Sequence, residues 1–339
     1  MKNDKLNIAV IGATGNVGRK VVGMLLEREL AYPNNLKLYA SPRSAGQTLT
    51  IDNRNFLIHN TEQTDFANID ICIFNTEGNI SEKFVPKALN AGAYVIDSSS
   101  YYRLHPEVPL IVPPVNKMLI NSRQKIYAHA NCLASPIATV IGPLHKYHKI
   151  HRVNAVTYQS TSGAGKVAAD ECWAETCSIV QKMPYERKHF KRQIALNVIP
   201  QVGAIRDDSL TSEEYKIIYE IKKIIDQNIA ITATAVRVPV LIGHSIALSI
   251  EFERTFVVQD IIRILQHAPS VQLSNNDYAT PVEVVDSDDV FVGRVRRDTS
   301  VESGLHLWLC SDNLRRGAAT DAVEITEALL MSIIRYGKE

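Results

Sequence analysis

The chain has 339 residues, of which 45% are hydrophobic and 22% charged, so it has ample material for a packed globular core. Its 37 basic and 36 acidic residues leave no basic surplus, which argues against a nucleic-acid or membrane surface and favours a small-molecule partner. Five cysteines without zinc-ribbon spacing or a disulfide framework fit a reducing, cytoplasmic compartment. We find no signal-peptide pattern and no apolar run of about 18 residues that would span a membrane.

The N-terminal segment predicts a βαβ unit. The strand "LNIAVIG" leads into the glycine turn "ATGNVG", the apolar-periodic helix "RKVVGMLLERE" and a second strand, "LKLYA". The pattern repeats in the strand "IDICIFNT" (69–76), the helix "SEKFVPKALNAGA" (81–93) and the strand "YVIDSSS" (94–100). Strands that alternate with helices favour a mostly parallel sheet, so we predict an α/β domain over residues 1–130.

The glycine turn has the spacing GxxGxxG, formed by Gly12, Gly15 and Gly18. Glycines at these positions let the backbone turn tightly and approach a pyrophosphate, whose charge the helix N-terminus favours. A tight turn without a ligand is the alternative, but the strand-turn-helix context favours dinucleotide binding in a Rossmann-type domain. The other residues of the predicted cofactor loop are Thr14, Asn16 and Val17.

The end of the second strand bears on the choice of cofactor. It lacks the Asp or Glu that would hold the ribose 2′-hydroxyl of NAD. It continues into "SPRSAG", where Ser41, Arg43 and Ser44 supply one cation and two hydroxyls for a 2′-phosphate. These residues favour NADP, with a polar surface turn as the alternative.

A second, α+β domain is predicted over residues 131–316. Its elements are a helix at roughly 136–148, a strand at 153–160, a helix from Lys166, a loose charged stretch at roughly 181–210 and a helix at 211–225. The last helix opens with a capping-box pattern, Thr211 with Glu214, and places Ile218, Ile221 and Ile225 on one face. The runs "ITATAVRV" and "SIALSIEF" that follow are strand-like and predict a mixed sheet.

Cys132 stands in "ANCLASP", directly before an apolar run that predicts a helix. Free cysteine is among the most buried residue types, so an inert core thiol is the ordinary interpretation. Ahead of a helix, however, the dipole and free amides stabilise a thiolate and raise its nucleophilic fraction. Cys72, Cys172, Cys177 and Cys310 lie within strand or helix patterns and are predicted to serve packing.

A cysteine nucleophile needs an acid/base partner, and His244 in "RVPVLIGHS" is the candidate. It follows a strand and a glycine turn, and Arg237, seven residues earlier, offers a cation for an anionic substrate. A structural histidine is the alternative. Of the other histidines, His145, His148 and His151 lie in polar segments and are predicted to be solvated.

Two further features have ordinary explanations. Glu213 and Lys216 are three apart on a predicted helix, and such a pair is usually a solvated ion pair worth about 0.2–0.5 kcal/mol. The stretch "STSGAGK" (160–166) is equally explained as a flexible glycine turn that caps the next helix.

Nine short motifs occur in order along the chain: "GATGNVG", "ASPRSAG", "VIDSSSYYR", "ANCLASP", "TYQSTSGAGK", "LNVIPQ", "SEEYK", "RVPVLIGHS" and "SDNLRRGAA". In this order and spacing they resemble the aspartate-semialdehyde dehydrogenase family, essentially from end to end. Each motif alone is weakly specific, but nine in register are strongly specific. Members of that family make L-aspartate 4-semialdehyde from L-4-aspartyl phosphate with NADPH and release phosphate, on the route to diaminopimelate, lysine, threonine and methionine.

The resemblance implies a role for each residue that matches a catalytic or substrate-binding position. It makes Cys132 the nucleophile that forms a thioester, His244 the general acid/base and Gln159 the residue that orients the acyl-enzyme. Arg237 would bind the substrate carboxylate and Glu213 its ammonium group.

The resemblance also implies a phosphate site, further contacts and an assembly. Arg103 and Lys216, with Asn131, would hold phosphate. The remaining implied contacts are Ser162 and Gly163 with the substrate and Asn313 with the cofactor. The family further implies a homodimer built through the second domain's sheet, and a C-terminal helix within 317–339 that completes the NADP-binding domain.

The sequence departs from the family pattern at several positions. Leu133 and Ala134 replace the Ser-Thr that usually follows the cysteine. Pro114, Asp321 and Glu324 stand where the family pattern has Glu, Asn and Gln. These changes bear on cofactor affinity and rate more than on reaction class.

Three other functions are considered. Glyceraldehyde-3-phosphate dehydrogenase has its nucleophile four residues before the cysteine of the Asn-Cys pair, and that position is Ala128 here. N-acetylglutamyl-phosphate reductase has related chemistry, but "RVPVLIGHS" and the Glu213/Lys216 pair fit it poorly. A non-catalytic NADP-binding paralogue would be expected to lose Cys132 or His244, and both are present.

Overall fold

The computed structural model describes residues 6–274 and 277–337. They form two compact units, each built on its own sheet. The first unit holds the chain up to Asn131 together with the segment from Gly317 onward, and the second is Cys132–Arg316. The predicted ranges 1–130, 131–316 and 317–339 include residues 1–5, 275–276 and 338–339, which lie outside the described residues.

The helices and strands are numbered in chain order. The strands of the first unit are β1 (Ile8–Ile11), β2 (Leu36–Ala40), β3 (Thr48–Ile51), β4 (Arg54–Asn60), β5 (Ile71–Phe74), β6 (Tyr94–Asp97), β7 (Leu110–Ile111) and β8 (Ile126–His129). Those of the second unit are β9 (Ile150–Gln159), β10 (Ala230–Arg237), β11 (His244–Phe252), β12 (Val271–Leu273), β13 (Val290–Asp298) and β14 (Gly304–Ser311). The helices are α1 (Asn16–Glu27), α2 (Gly78–Asn90), α3 (Pro113–Asn116), α4 (Ala134–Tyr147), α5 (Lys166–Val180), α6 (Ser212–Ile224), α7 (Val258–Gln266) and α8 (Thr320–Tyr336).

The first sheet has the strand order β3-β4-β2-β1-β5-β6-β8-β7. Its strands pair in parallel except for β3 and β4, which pair antiparallel. The central strands β1, β5 and β6 are apolar almost throughout and fully buried, as expected when both faces of a parallel sheet are covered. The predicted α/β class with a mostly parallel sheet is confirmed.

The core of the first unit draws on both ends of the described chain. Val21, Val22 and Leu25 form the buried face of α1, in the helical spacing that places apolar residues on one side. They share one apolar cluster with β1 and with Leu329 and Ile333 of α8. The helix that follows the second unit in sequence therefore completes the core of the first.

The second sheet has the strand order β10-β9-β11-β14-β13-β12. The pairs β9/β10 and β12/β13 are parallel, and the remaining neighbours are antiparallel. The predicted mixed sheet is confirmed.

The two faces of the second sheet differ in covering. Helix α4 packs against α6 and α7, and these three helices contact the strands. Residues alternate along β9, where buried positions such as Ala155 and Thr157 are interleaved with more exposed ones such as Tyr158. On the exposed side, the ring of Tyr158 lies 5.7 Å from that of Trp308 on β14, and both are partly exposed.

Helix α6 begins as the sequence predicts. The Thr211 side chain accepts a hydrogen bond from the Glu214 amide at 3.2 Å, and the Glu214 carboxylate accepts one from the Thr211 amide at 2.7 Å. This capping box is confirmed. The predicted apolar face is correct for Ile218 and Ile221 but wrong for Ile225, which follows the last helical residue and is only partly buried.

One predicted surface histidine lies inside the protein. His145 is buried, because its ring joins the last turn of α4 to the start of β9: its Nδ1 accepts a hydrogen bond from the Ile150 amide at 3.2 Å. Its Nε2 lies 3.4 Å from Asp226. The prediction that His145 is solvated is wrong, whereas His151 is exposed and His148 is partly buried.

Two predicted helix starts also differ from the structure. Helix α2 begins at Gly78 rather than residue 81, and α4 at Ala134 rather than residue 136. No helix in the described ranges is long and apolar enough to cross a membrane.

Candidate active site

The structure brings Cys132 and His244 together although 112 residues separate them in the chain. Cys132 lies two residues before α4, and His244 is the first residue of β11. The Cys132 Sγ atom lies 3.6 Å from the His244 Nε2 atom. A thiol and an imidazole at this separation form the pair that cysteine nucleophiles use.

Cys132 differs from the other cysteines in its surroundings. Cys72, Cys172 and Cys310 are buried, and burial raises the pKa of each of these thiols, that of Cys310 to about 11. Cys132 is partly exposed and lies ahead of a helix N-terminus. Cys177 is also only partly buried, but it lies within α5.

His244 is fully buried and held through its second ring nitrogen. The Ser160 amide donates a hydrogen bond to Nδ1 at 3.0 Å, and the Ser160 Oγ atom lies 3.0 Å from the same nitrogen. Burial, followed by the charge of Arg237, lowers the pKa of His244 to about 3, and the Gly243 carbonyl opposes this shift. Burial and the Arg237 charge thus both favour the neutral ring.

Arg237 ends β10 beside the cysteine-histidine pair. Its Nη1 donates a hydrogen bond to the Ser160 carbonyl at 2.6 Å. Burial lowers the pKa of this guanidinium, and the charges of Glu213 and Cys132 act in the opposite direction. A Cβ atom built on Gly163 would lie 3.0 Å from Arg237 Nη1 and 3.0 Å from His244 Nε2. Gly163 thus leaves room where the two side chains converge.

Glu213 and Lys216 form an ion pair on the first turns of α6, with 3.3 Å between Lys216 Nζ and the carboxylate. Glu213 is buried and is one of the charges that act on Arg237. The interpretation of this pair as solvated is therefore wrong for Glu213. The carboxylate and the Arg237 guanidinium provide opposite charges in one buried region.

Gln159 is the last residue of β9 and pairs in register with Arg237 on the neighbouring strand. Its side chain is buried, and its Nε2 donates a hydrogen bond to Thr157 Oγ1 at 3.2 Å. This register places an amide side chain at the same end of the sheet as the arginine.

Asn313 lies at the centre of a buried polar network. Its Oδ1 accepts hydrogen bonds from the Gly243 amide at 2.8 Å and from the hydroxyls of Ser160 and Ser162 at 3.0 and 3.3 Å. Asn313 therefore holds together the loops that carry Ser160 and His244. Sequence reasoning missed this role, and it missed Ser160, for which the only signal was a hydroxyl in a stretch interpreted as a glycine turn.

Part of the charged stretch predicted to be loose, residues 188–195, is held to α5 by hydrogen bonds. Buried Glu171 accepts hydrogen bonds from the amides of Lys188, His189 and Phe190. Buried Glu175 accepts two more, from the amides of residues 194 and 195. These contacts fix the backbone over residues 188–195.

A cavity of about 530 Å³ opens beside Arg237. Its walls include Lys191 and Arg192 of the stretch held to α5, as well as Ala164 and Gly203. It is large enough for a small anionic metabolite.

The glycine turn of the first unit has no room for side chains at two positions. Gly12 has φ +80°, and a Cβ there would lie 2.3 Å from the Asn75 carbonyl oxygen. A Cβ on Gly18 would lie 2.2 Å from the Gly12 carbonyl oxygen. Gly15 is exposed and is the N-cap of α1, which begins at Asn16. The turn thus presents a helix N-terminus and bare backbone to a ligand.

The other predicted cofactor residues lie near this turn. Thr14 and Val17 are partly exposed within it, and Ser41, Arg43 and Ser44 directly follow β2. The Tyr39 carbonyl near the end of β2 accepts hydrogen bonds from the amides of Gly12 and Ala13. The turn is therefore tied to the strand that leads into the predicted 2′-phosphate contacts.

Two buried side-chain nitrogen atoms in the described residues have no hydrogen-bond partner, Asn75 Nδ2 and His129 Nε2. Asn75 follows β5 and His129 ends β8, so both lie at the carboxyl edge of the parallel sheet. Ligands of open α/β sheets bind at this edge. These atoms and the bare glycine turn fit a bound dinucleotide.

Arg103 and Asn131 are both buried in the first unit. The Arg103 guanidinium donates hydrogen bonds to the carbonyls of His129 at 3.0 Å and Ser98 at 2.6 Å. Arg103 is therefore held rigidly by the ends of β8 and β6. Lys216 belongs to the second unit, so their joint phosphate site stays a prediction.

Two family models match most of the chain. One, described as the NAD binding domain of semialdehyde dehydrogenase, matches residues 7–123, and the other, described as its dimerisation domain, matches residues 141–316. The matches define the class as a semialdehyde dehydrogenase with a nicotinamide-dinucleotide-binding domain and a second domain on a mixed sheet.

Curated relatives and solved structures are more specific. The aspartate-semialdehyde dehydrogenase of Rickettsia conorii is 42% identical over 332 residues, which cover 96% of this chain and 98% of the relative. That of Aquifex aeolicus is 38% identical and covers 95% of this chain and 97% of the relative. The crystal structure of aspartate semialdehyde dehydrogenase II from Vibrio cholerae, complexed with ASA, superposes with a TM-score of 0.93 at 36% identity and covers 98% and 99% of the two chains. The chain belongs to the aspartate-semialdehyde dehydrogenase family.

Proposed function

We propose that the protein catalyses the reversible, NADPH-dependent reductive dephosphorylation of L-4-aspartyl phosphate to L-aspartate 4-semialdehyde through a thioester on Cys132. The observation that carries this proposal is the 3.6 Å separation of Cys132 Sγ and His244 Nε2 beside the buried charges Arg237 and Glu213. The product would supply lysine and diaminopimelate, threonine and methionine biosynthesis in the cytoplasm.

The substrate carries a carboxylate and an ammonium group on one carbon, and the site offers one charge for each. Arg237 binds the carboxylate through its guanidinium, which matches a carboxylate in two parallel hydrogen bonds. Glu213 binds the ammonium group. Because both side chains are buried, the two contacts are less screened than surface pairs. Gly163 leaves room for the substrate beside Arg237 and His244, and the neighbouring Ser162 is proposed as a further substrate contact.

The covalent step follows from the cysteine-histidine pair. The Cys132 thiolate attacks the acyl carbon, the carbon–oxygen bond to phosphate breaks, and phosphate leaves with the bonding electrons. Arg103, Lys216 and Asn131 bind the leaving phosphate. Gln159 orients the thioester, and His244 serves as the acid/base group.

The first unit provides the cofactor site. The glycine turn at Gly12, Gly15 and Gly18 holds the pyrophosphate, and Arg43 with the nearby Ser41 and Ser44 holds the 2′-phosphate of NADP. When bound, the nicotinamide supplies the hydride that reduces the thioester. Asn313, in the second unit, is proposed as a further contact with the cofactor.

We also propose a homodimer built through the exposed face of the second sheet. Helices cover the opposite face, and Tyr158 and Trp308 place aromatic surface on the exposed one. The match to a family dimerisation domain over residues 141–316 supports this assembly. Light scattering of the purified protein at micromolar concentration tests it, and a monomeric mass would contradict it.

The decisive experiment is phosphate-dependent reduction of NADP⁺ by the purified protein with L-aspartate 4-semialdehyde. We expect turnover that requires both phosphate and the semialdehyde. Turnover with N-acetylglutamate semialdehyde instead would assign the chain to the related reductase. Binding of NADP⁺ without turnover on either aldehyde would indicate a non-catalytic paralogue.

A further inference from the structure

The orientation of the Asn313 amide follows from a backbone contact. The Gly243 amide lies 2.8 Å from Asn313 Oδ1, and a backbone N–H donates but does not accept. The side-chain atom that faces it must therefore be the amide oxygen. Asn313 Nδ2 then donates to Ser162 Oγ at 3.1 Å.

This orientation determines the direction of the next hydrogen bond. Ser160 Oγ lies 3.0 Å from Asn313 Oδ1, and an amide oxygen only accepts, so the Ser160 hydroxyl hydrogen points towards Asn313. A hydroxyl has one hydrogen to donate. In its other two contacts, 3.0 Å to His244 Nδ1 and 3.1 Å to Ser162 Oγ, Ser160 Oγ then accepts.

His244 Nδ1 consequently has a hydrogen-bond partner whether or not it carries a hydrogen. When Nδ1 carries no hydrogen, the Ser160 amide donates to it at 3.0 Å. When Nδ1 carries a hydrogen, Ser160 Oγ accepts it. Only in the second state is Nε2 of a neutral ring bare and able to take a proton from Cys132 at 3.6 Å.

We propose that Ser160 is a positioning residue for the acid/base step. Its hydroxyl, oriented by Asn313, accepts a hydrogen bond from Nδ1–H of His244. This holds the ring in the state in which Nε2 can take the proton of Cys132. In this step the S–H bond of Cys132 breaks and an N–H bond forms at Nε2. The products are a thiolate and an imidazolium, whose Nδ1–H stays intact and donates a hydrogen bond to the Ser160 hydroxyl oxygen. The proposal rests on the proposed function only in taking Cys132 as the nucleophile.

The surrounding charges explain why such an acceptor matters. Arg237 and burial disfavour the imidazolium, while the Gly243 carbonyl favours it. Glu213 lies close enough to act on Arg237, as does Cys132, and Lys216 pairs with Glu213. An imidazolium without an acceptor at Nδ1 would face the Ser160 amide, donor against donor. The amide stays in place, and the Ser160 hydroxyl oxygen, 3.0 Å from Nδ1, supplies the acceptor that offsets its effect.

The test is the rate of Cys132 alkylation by iodoacetamide as a function of pH in Ser160→Ala. Loss of a hydrogen bond to a charged group should lower the rate near neutral pH by about tenfold, because the thiolate–imidazolium pair becomes less populated. Above the ordinary thiol pKa the two profiles should converge, since the thiolate then forms without His244. Ser245→Ala is the matched control: this buried hydroxyl neighbours His244 in sequence but contacts Cys310 Sγ at 3.5 Å, and its profile should equal the wild type.

A second variant tests the same chain of hydrogen bonds in the opposite direction. Asn313→Asp keeps an acceptor for Ser160 and adds a negative charge next to the hydroxyl that contacts His244 Nδ1, which favours the imidazolium, so the rate near neutral pH should rise. It also keeps the test decisive if circular dichroism shows that Ser160→Ala is misfolded. A wild-type profile in either folded variant, or an equal loss at all pH values in Ser160→Ala, would overturn the proposal. Alkylation does not depend on the aldehyde used, so this outcome is separate from failure of the proposed reaction.

Discussion

The glycine turn after β1 and the Cys132–His244 site are built in opposite ways. At the turn, Gly12 and Gly18 matter because a single Cβ would meet backbone within 2.3 Å. At the Cys132–His244 site, buried side chains such as Asn313 satisfy one another through several hydrogen bonds at once. The turn therefore depends on the absence of side chains, whereas the Cys132–His244 site depends on which side chains are present. Substitutions at the turn should therefore act through steric clash, and substitutions at the Cys132–His244 site through the loss of a chemical group.

The largest effect on turnover is expected at the proposed nucleophile, Cys132. Cys132→Ala should reduce turnover by about 10⁴-fold or more, because the covalent step is lost. NADPH affinity and the melting temperature should stay at wild-type values, since the change removes one sulfur atom from a partly exposed site. Steady-state kinetics, fluorescence titration with NADPH and thermal melting measure the three quantities. Substantial activity in this variant would end the assignment of Cys132.

The turn should show the reverse pattern. Gly18→Ala would place a methyl group 2.2 Å from the Gly12 carbonyl oxygen, so we expect a loss of roughly 1–3 kcal/mol in stability and severely weakened NADPH binding. Cys132 should still react with iodoacetamide. The control is Gly23→Ala in the same helix, where the new Cβ would meet only Ile51 Cγ2 at 3.8 Å. Equal NADPH affinity in the two variants would contradict the steric explanation.

The ion pair on α6 tests whether its two opposite charges bind two different substrates. Lys216→Ala should raise the KM for phosphate about tenfold in the oxidative direction, with less change for the semialdehyde. Glu213→Gln should show the opposite bias, because its proposed partner is the ammonium group. Both KM values and kcat are measured at fixed ionic strength. Wild-type kinetics in both variants would restore the interpretation of a purely structural pair.

The smallest effect is expected at the exposed end of β2. Arg43→Ala should weaken NADPH several-fold more than NADH, because the lost charge-assisted hydrogen bonds involve only the 2′-phosphate. Arg54→Ala, which removes an equally exposed cation at the start of β4, should leave both affinities unchanged. Titration of each variant with both cofactors gives the comparison. Equal losses for NADPH and NADH in Arg43→Ala would show that Arg43 only shapes the loop.

Much of the fold could be predicted from sequence because its signals are local. Alternating strands and helices predicted the parallel sheet, and the Thr211–Glu214 spacing predicted the start of α6. His145 was predicted wrongly because its burial depends on Asp226 and Ile150, and no local pattern reveals those contacts. The backbone over residues 188–195 was predicted to be loose for the same reason, since carboxylates on α5 hold it.

The candidate site could be predicted only in part. Cys132 and His244 are predictable because residue type and helix or turn context narrow the choice, and the structure places Cys132 Sγ and His244 Nε2 3.6 Å apart. Burial of Glu213 was not predictable, because an isolated pair at helical spacing is usually solvated. Ser160 could not be selected from the sequence, because serines are common and its proposed role depends on contacts with His244 and Asn313, which are distant in the chain.

The position of α8 has a consequence for how the protein is made. Leu329, Leu330 and Ile333 share a core with Val10 and Leu25, yet they are translated only after the whole second unit. On the ribosome, the apolar surface of β1 and α1 that α8 covers therefore stays exposed while residues 132–316 are synthesised. The second unit can then fold before the first, which reverses the usual order of domain folding during synthesis. We expect nascent chains that stop before α8 to hold a folded second unit beside an incomplete first one, which makes them targets for chaperones and quality-control proteases.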